Sequence, residues 1–154
     1  MLINCVAYRH GQKVADIEID EIHRYVCEPD GLGLHPLAVE DACKGHQRPK
    51  IEDYGDSLFA VLHMIEPEGA KYRVGEVAVF AGSNYVLTVR SNAERGFQEV
   101  RARCEREPLL LRIGSAFVLY ALIDAVVDRY FPVLDLLEDE LETVEERIFA
   151  GGSA

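Results

Sequence analysis

Residues 35–56, HPLAVEDACKGHQRPKIEDYGD, gather most of the side chains in this chain that could do chemistry. Cys43 and His46 stand three apart, a spacing zinc ligands use, and His35 or His63 could join them. A lone C-x-x-H without a second pair is a weak zinc signal. Glu40, Asp41 and His46 could instead form an enzyme site, but no nucleophile elbow, phosphate-cradling loop or H-E-x-x-H accompanies them. The structural reading is that Pro36 and Pro49 shape turns. His46 and Arg48 would anchor the turn after a short helix, and the other charges would cap that helix or pair with Arg48 and Lys50.

A second group of carboxylates lies near the C-terminal end. Asp124, Asp128, Asp135, Glu138, Asp139, Glu140, Glu142, Glu145 and Glu146 are opposed there only by Arg129 and Arg147. Asp124 is the only charged residue between Ala116 and Val127. It is either a ligand or a hydrogen-bonded aspartate that fixes helix packing, because an isolated buried carboxylate is costly and must have a partner. Asp128, one helical turn later, would share its face. Runs such as 138–146 are most often solvated helix faces.

Positioning these groups takes strands first and helices after. Residues 2–8, 13–19, 23–27, 57–65, 73–80 and 85–89 read as strands from their apolar and β-branched content. His10-Gly11-Gln12 turns the first into the second, and Ala81-Gly82-Ser83-Asn84 suggests a hairpin. Residues 35–44 read as a short helix with Pro36 in its first turn, ending near Gly45. Phe97, Val100 and Cys104 mark a helix over 93–106. Ser115 is expected to cap a long helix running to about Phe149 and kinked at Pro132. Along it Tyr130, Leu134, Leu137, Leu141, Val144 and Ile148 form a heptad seam that needs a partner helix.

The 154 residues suit one domain, with a strand-rich part over 1–91, including the helix at 35–44, and a helical part over 93–150. A net charge of -11 argues against nucleic acid and suits cations or a surface kept soluble. Cys5, Cys27, Cys43 and Cys104 are scattered and no secretory signal is visible, so a reducing cytosolic setting is expected. The longest apolar run, 116–123, is far short of the roughly 20 residues of a spanning helix.

Four blocks in order carry a stronger signal: HPLAVEDA at 35–42, HQRPKIEDYGDSLFAVL at 46–62, VRARCERE at 100–107 and FVLYALIDAVVDRYFPVLDLLEDELETVEERIF at 117–149. Together they resemble the cytoplasmic domain of the CorA magnesium and cobalt transporter family. The resemblance implies an α/β fold, a mixed β-sheet sandwiched between helical layers and ending in a long acidic helix. It implies a non-enzymatic regulatory domain of a homopentameric transporter that senses Mg2+, Co2+ or another divalent cation, bound weakly, to gate the pore. It places metal ligands at Glu40 and Asp41 of an LxxED-like segment and at Asp124 of LIDA, with Asp128 nearby. The remaining ligand is expected from the stalk helix of the adjacent subunit. The alternatives are an oligomerisation module with no specific metal site and a zinc-transporting member of the superfamily.

Two departures accompany the resemblance. Family members carry a helix between the segments that here are 28–30 and 33–35; almost nothing separates these two, so that helix is either deleted or a stretch missing from this chain. The two membrane helices and the Gly-Met-Asn signature are not in this sequence, so the pore is expected elsewhere.

Overall fold

Alternation along SLFAVLHMI and its neighbour RVGEVAVF puts apolar side chains on both faces of the pair, so both faces need a cover. A computed structural model, describing residues 5–17, 32–68 and 71–151, shows how each is covered. Strands β1 (Cys5–Arg9) and β2 (Gln12–Ile17) form a separate antiparallel hairpin. Helix α1 (Pro36–Lys44) follows, then β3 (Lys50–Asp53), β4 (Ser57–Glu68), β5 (Lys71–Gly82) and β6 (Val86–Ser91). These last strands form a four-stranded sheet in the order β3-β4-β5-β6, and every strand pair among the described residues is antiparallel. Helices α2 (Gln98–Arg106), α3 (Pro108–Leu111), α4 (Ser115–Asp128) and α5 (Phe131–Gly151) complete the chain.

The β4–β5 register sets Phe59 opposite Phe80 and Val61 opposite Ala78 on one face, and Ala60 opposite Val79 on the other. Phe59, Val61, Ala78 and Phe80 meet Ala38 and Ala42 of α1. Ala60, Met64, Val77 and Val79 meet Val100 and Cys104 of α2 and Phe117, Ala121, Leu122 and Val126 of α4. The expected α/β arrangement, a sheet between helical layers ending in a long acidic helix, is the one found; where a mixed sheet was expected, the described strand pairs are all antiparallel.

The differences are local. Strand β3, KIED, was not anticipated; its charged composition conceals an edge strand, where such residues are normal. The short α3 was also not anticipated. Gly114, at φ 98°, rather than Ser115, is the N-cap of α4, and the Ser115 hydroxyl donates to the Gly82 carbonyl at 2.5 Å. The single long helix is two, separated at Arg129 and Tyr130. Pro132 accounts for this, because its ring and missing N–H act against the carbonyl four residues earlier, which is Asp128, where α4 ends. The strand expected at 23–27 and the segments flanking it lie outside the described residues.

Glu66 shows how the sheet is tied to the helical layer. Its buried carboxylate accepts from the backbone N–H of Glu94 at 3.0 Å and of Arg95 at 2.8 Å, fixing the loop that leads into α2. Burial pushes its pKa up, but those two N–H donors and the Arg73 and Arg129 guanidinium groups outweigh it and hold the carboxyl below its usual range. A depressed carboxylate contributes stability at pH values above its ordinary pKa and loses it as pH falls through the folded value. Glu66→Gln is therefore expected to cost about 2 kcal/mol at pH 7. In urea titrations the gap from wild type should narrow on going to pH 3.5, and a gap independent of pH would refute this role.

Candidate functional site

Helix α1 brings the first nominated carboxylates out of the core. Its N-terminus is closed by His35, whose Nδ1 accepts from the Leu37 N–H at 3.3 Å while its ring stacks on Tyr54 at 4.1 Å. Pro36 occupies the first turn, and the Gly45 N–H closes the other end on the Asp41 carbonyl. Because Ala38 and Ala42 face the sheet, Glu40 is exposed and Asp41 half-buried beside β3.

Each of these carboxylates already has a cation. Lys44, one turn along, pairs with Glu40. Lys50, the first residue of β3, donates from Nζ to Asp41 Oδ2 at 2.6 Å and to Glu52 Oε1 at 2.9 Å. The Tyr54 hydroxyl donates to the other Glu52 oxygen at 2.8 Å. Hydrogen bonding to Asp41, then to Glu52, raises the pKa of the Lys50 ammonium. Hydrogen bonds from Lys50 and then Tyr54 lower that of Glu52.

The same holds for Asp124. It is half-buried on α4, and Arg103 of α2 donates from Nη1 to its Oδ2 at 2.5 Å. The partner required by a carboxylate in so apolar a stretch is thus Arg103. Asp128 is exposed at the end of α4, one turn on. The nominated residues are not brought together: Asp41 rides on the helix covering one face of the sheet and Asp124 on a helix covering the other.

The zinc reading finds no cluster among the described residues. Among the described residues no group of three or more His, Cys, Asp and Glu side chains is placed to hold a metal ion. Cys43 and His46 are exposed, and His63 is committed to the Gln47 carbonyl at 2.8 Å. His46 and Arg48, the expected anchors of the turn after α1, are both exposed; Gln47 holds it instead, donating its N–H to Glu76 Oε2 at 2.8 Å. Lys50 is the pairing partner that the structural reading of residues 35–56 offered, whereas Glu52 and Arg103 had no separable signal in the sequence, since only the fold brings Glu52 to Lys50 and Arg103 to Asp124.

For a magnesium-like ion the donor chemistry fits in part. Carboxylate oxygens are the hard ligands such a cation takes, with water filling the other positions. Within one chain the carboxylates of Asp41 and Asp124 are already compensated by Lys50 and Arg103.

The CorA-like Mg2+ transporter protein family matches residues 12–153. The cobalt/magnesium transport protein CorA of Thermotoga maritima is 35% identical over 138 residues, covering 86% of this chain and 39% of that protein. The putative metal ion transporter YfjQ of Bacillus subtilis is 35% identical over 117 residues, covering 76% of this chain and 36% of its own. The chain therefore spans well under half the length of these relatives. The soluble domain of CorA from Methanocaldococcus jannaschii superposes with a TM-score of 0.55 at 21% identity, covering 88% of this chain and 53% of that one. Full-length CmaX gives 0.64 at 20% identity, covering 94% and 50%. Among the described residues no helix is long and apolar enough to cross a membrane. By the family match and by these relatives, the chain belongs to the CorA-like Mg2+ transporter family.

Proposed function

We propose that this chain is the divalent-cation-sensing regulatory part of a CorA-type transporter, working on the cytoplasmic side of the membrane within a homopentamer. The observation that carries the reading is the separation of the nominated ligands. Asp41 and Asp124 sit on helices covering opposite faces of one sheet, so each presents an oxygen half-site outward. An ion with ligands about 2.0–2.6 Å away gathers such half-sites only where two copies, or a copy and a neighbouring stalk helix, meet. Bound Mg2+ or Co2+ would bridge carboxylates that otherwise repel, favouring a closed assembly, and its loss would release the subunits.

Millimolar Mg2+ should raise the thermal stability of the 154-residue protein and shift its oligomeric state. Ligand at tenfold its Kd stabilises by about 1.4 kcal/mol, a shift of roughly 3–5 °C at this size. Asp41→Ala and Asp124→Ala should each reduce that shift. In the complete transporter the same changes should weaken magnesium-dependent closure. Identical magnesium responses in wild type and both variants would sink the sensing reading.

One observation favours a second reading, an oligomerisation module without a specific metal site. Leu134, Leu137, Leu141, Val144 and Ile148 form an exposed stripe along α5, as a helix awaiting a partner would. Self-association indifferent to Mg2+ would favour it.

A further inference from the structure

Asp41 and Asp124 each carry an internal counter-cation from a neighbouring element, and these contacts bear on how tightly either could hold a metal. Lys50 does more than pair with Asp41. Its ammonium lies between the carboxylates of Asp41 and Glu52, at 2.6 and 2.9 Å, over the Phe59 ring at 5.6 Å. That is the position a hard cation bridging two carboxylates would take, here filled by a cation fixed to the chain. Strand β3 presents Lys50 and Glu52 to the same side, as period-two alternation requires, and the β3–β4 register sets Lys50 opposite Val61. Arg103 stands in the same relation to Asp124, from α2.

We infer that Lys50 is a tethered competitor that sets the divalent-cation affinity of the Asp41 half-site, with Arg103 acting likewise at Asp124. The inference rests on the sensing reading above and deepens it. A divalent ion reaching Asp41 must either turn the ammonium out toward Glu52 or bind beside it against its charge. Both weaken binding and move its midpoint to higher cation concentration, as suits a sensor that must empty when the ion is scarce. Glu52 gives the displaced ammonium somewhere to go, so exchange does not leave Lys50 without a partner.

Mn2+, a spectroscopic substitute for Mg2+, tests this in the 154-residue protein by the loss of the free-ion electron paramagnetic resonance signal. Lys50→Met keeps the apolar stem and removes the charge. It should tighten Asp41-dependent Mn2+ binding by about three- to fivefold, the size expected for losing a partly exposed ion pair. Lys50→Gln should do the same should the methionine variant fold poorly, and Arg103→Met should tighten the Asp124-dependent component. Adding Asp41→Asn to Lys50→Met should abolish the gain. Binding that depends on Asp41 in wild type but is unchanged or weaker in folded Lys50→Met and Lys50→Gln overturns the competitor role alone. Mn2+ binding indifferent to Asp41 and Asp124 in every background overturns this role together with the sensing reading.

Discussion

Replacing Arg129 by alanine is expected to destabilise the protein by about 2–4 kcal/mol, summed over a buried hydrogen bond, a cation–π contact and stem packing. Its side chain is only 7% exposed although the residue sits between two helices. The guanidinium donates to the Gly96 carbonyl at 2.7 Å and to Glu99 Oε1 at 2.6 Å, lies 5.0 Å over the Phe97 ring, and approaches the Met64 sulfur at 3.3 Å. One side chain thus ties the α4–α5 junction to the loop before α2 and to β4. Lysine cannot reproduce the fork, so Arg129→Lys should recover little of the loss. Glu99→Ala should cost under about 1 kcal/mol, since that carboxylate is 70% exposed and its half of the pair is screened. Urea denaturation of the three variants checks the ordering, and an Arg129→Ala cost as small as that of Glu99→Ala would show that the junction does not depend on this anchor.

Phe59→Ala should be the most damaging single truncation in the sheet, at about 3–5 kcal/mol, a large share of the roughly 5–15 kcal/mol by which domains are stable. Phe59 is 1% exposed, meets Phe80 with ring centroids 4.8 Å apart, and underlies the alanines through which α1 seats. Its loss leaves a cavity beneath the helix that carries Asp41 and removes the ring below Lys50. Ile51→Ala, on the exposed edge strand, is the control and should change stability by less than about 0.5 kcal/mol. Equal costs for the two would mean that the α1 side of the sheet is not the core it looks to be.

Much of this was legible in the sequence because the strongest signals are periodic. Alternation in SLFAVLHMI and RVGEVAVF located β4 and β5, and Pro36 with Gly45 bounded α1 to within a residue. What stayed hidden depends on contact between distant segments. Lys50 was legible as a partner for nearby charges but not as a strand residue, because KIED has no apolar alternation and an edge strand needs none. Pro132 was recognised as a disturbance, but its effect falls upstream, where Arg129 and Tyr130 turn inward to partners on α2 and β4 that no local pattern announces. The carboxylates named from family resemblance occupy the helices expected of them. The basic residues that neutralise them come from 9 and 21 positions away in sequence.

The α4–α5 junction also has a mechanical side. Beyond Val133, whose side chain is buried, every residue of α5 from Leu134 to Ala150 is exposed within this chain, so among the described residues this helix of 21 residues, about 30 Å long, is anchored at its base. Its base is pinned by Arg129 and by the Tyr130 hydroxyl, which donates to the His63 carbonyl at 2.5 Å. A rod anchored at its base works as a pointer: a tilt of about 5° at the pinned end sweeps the far end through roughly 3 Å over that length. Displacements at the base too small to disturb the core would thus be large at the tip, with the acidic face and the leucine stripe carried along together.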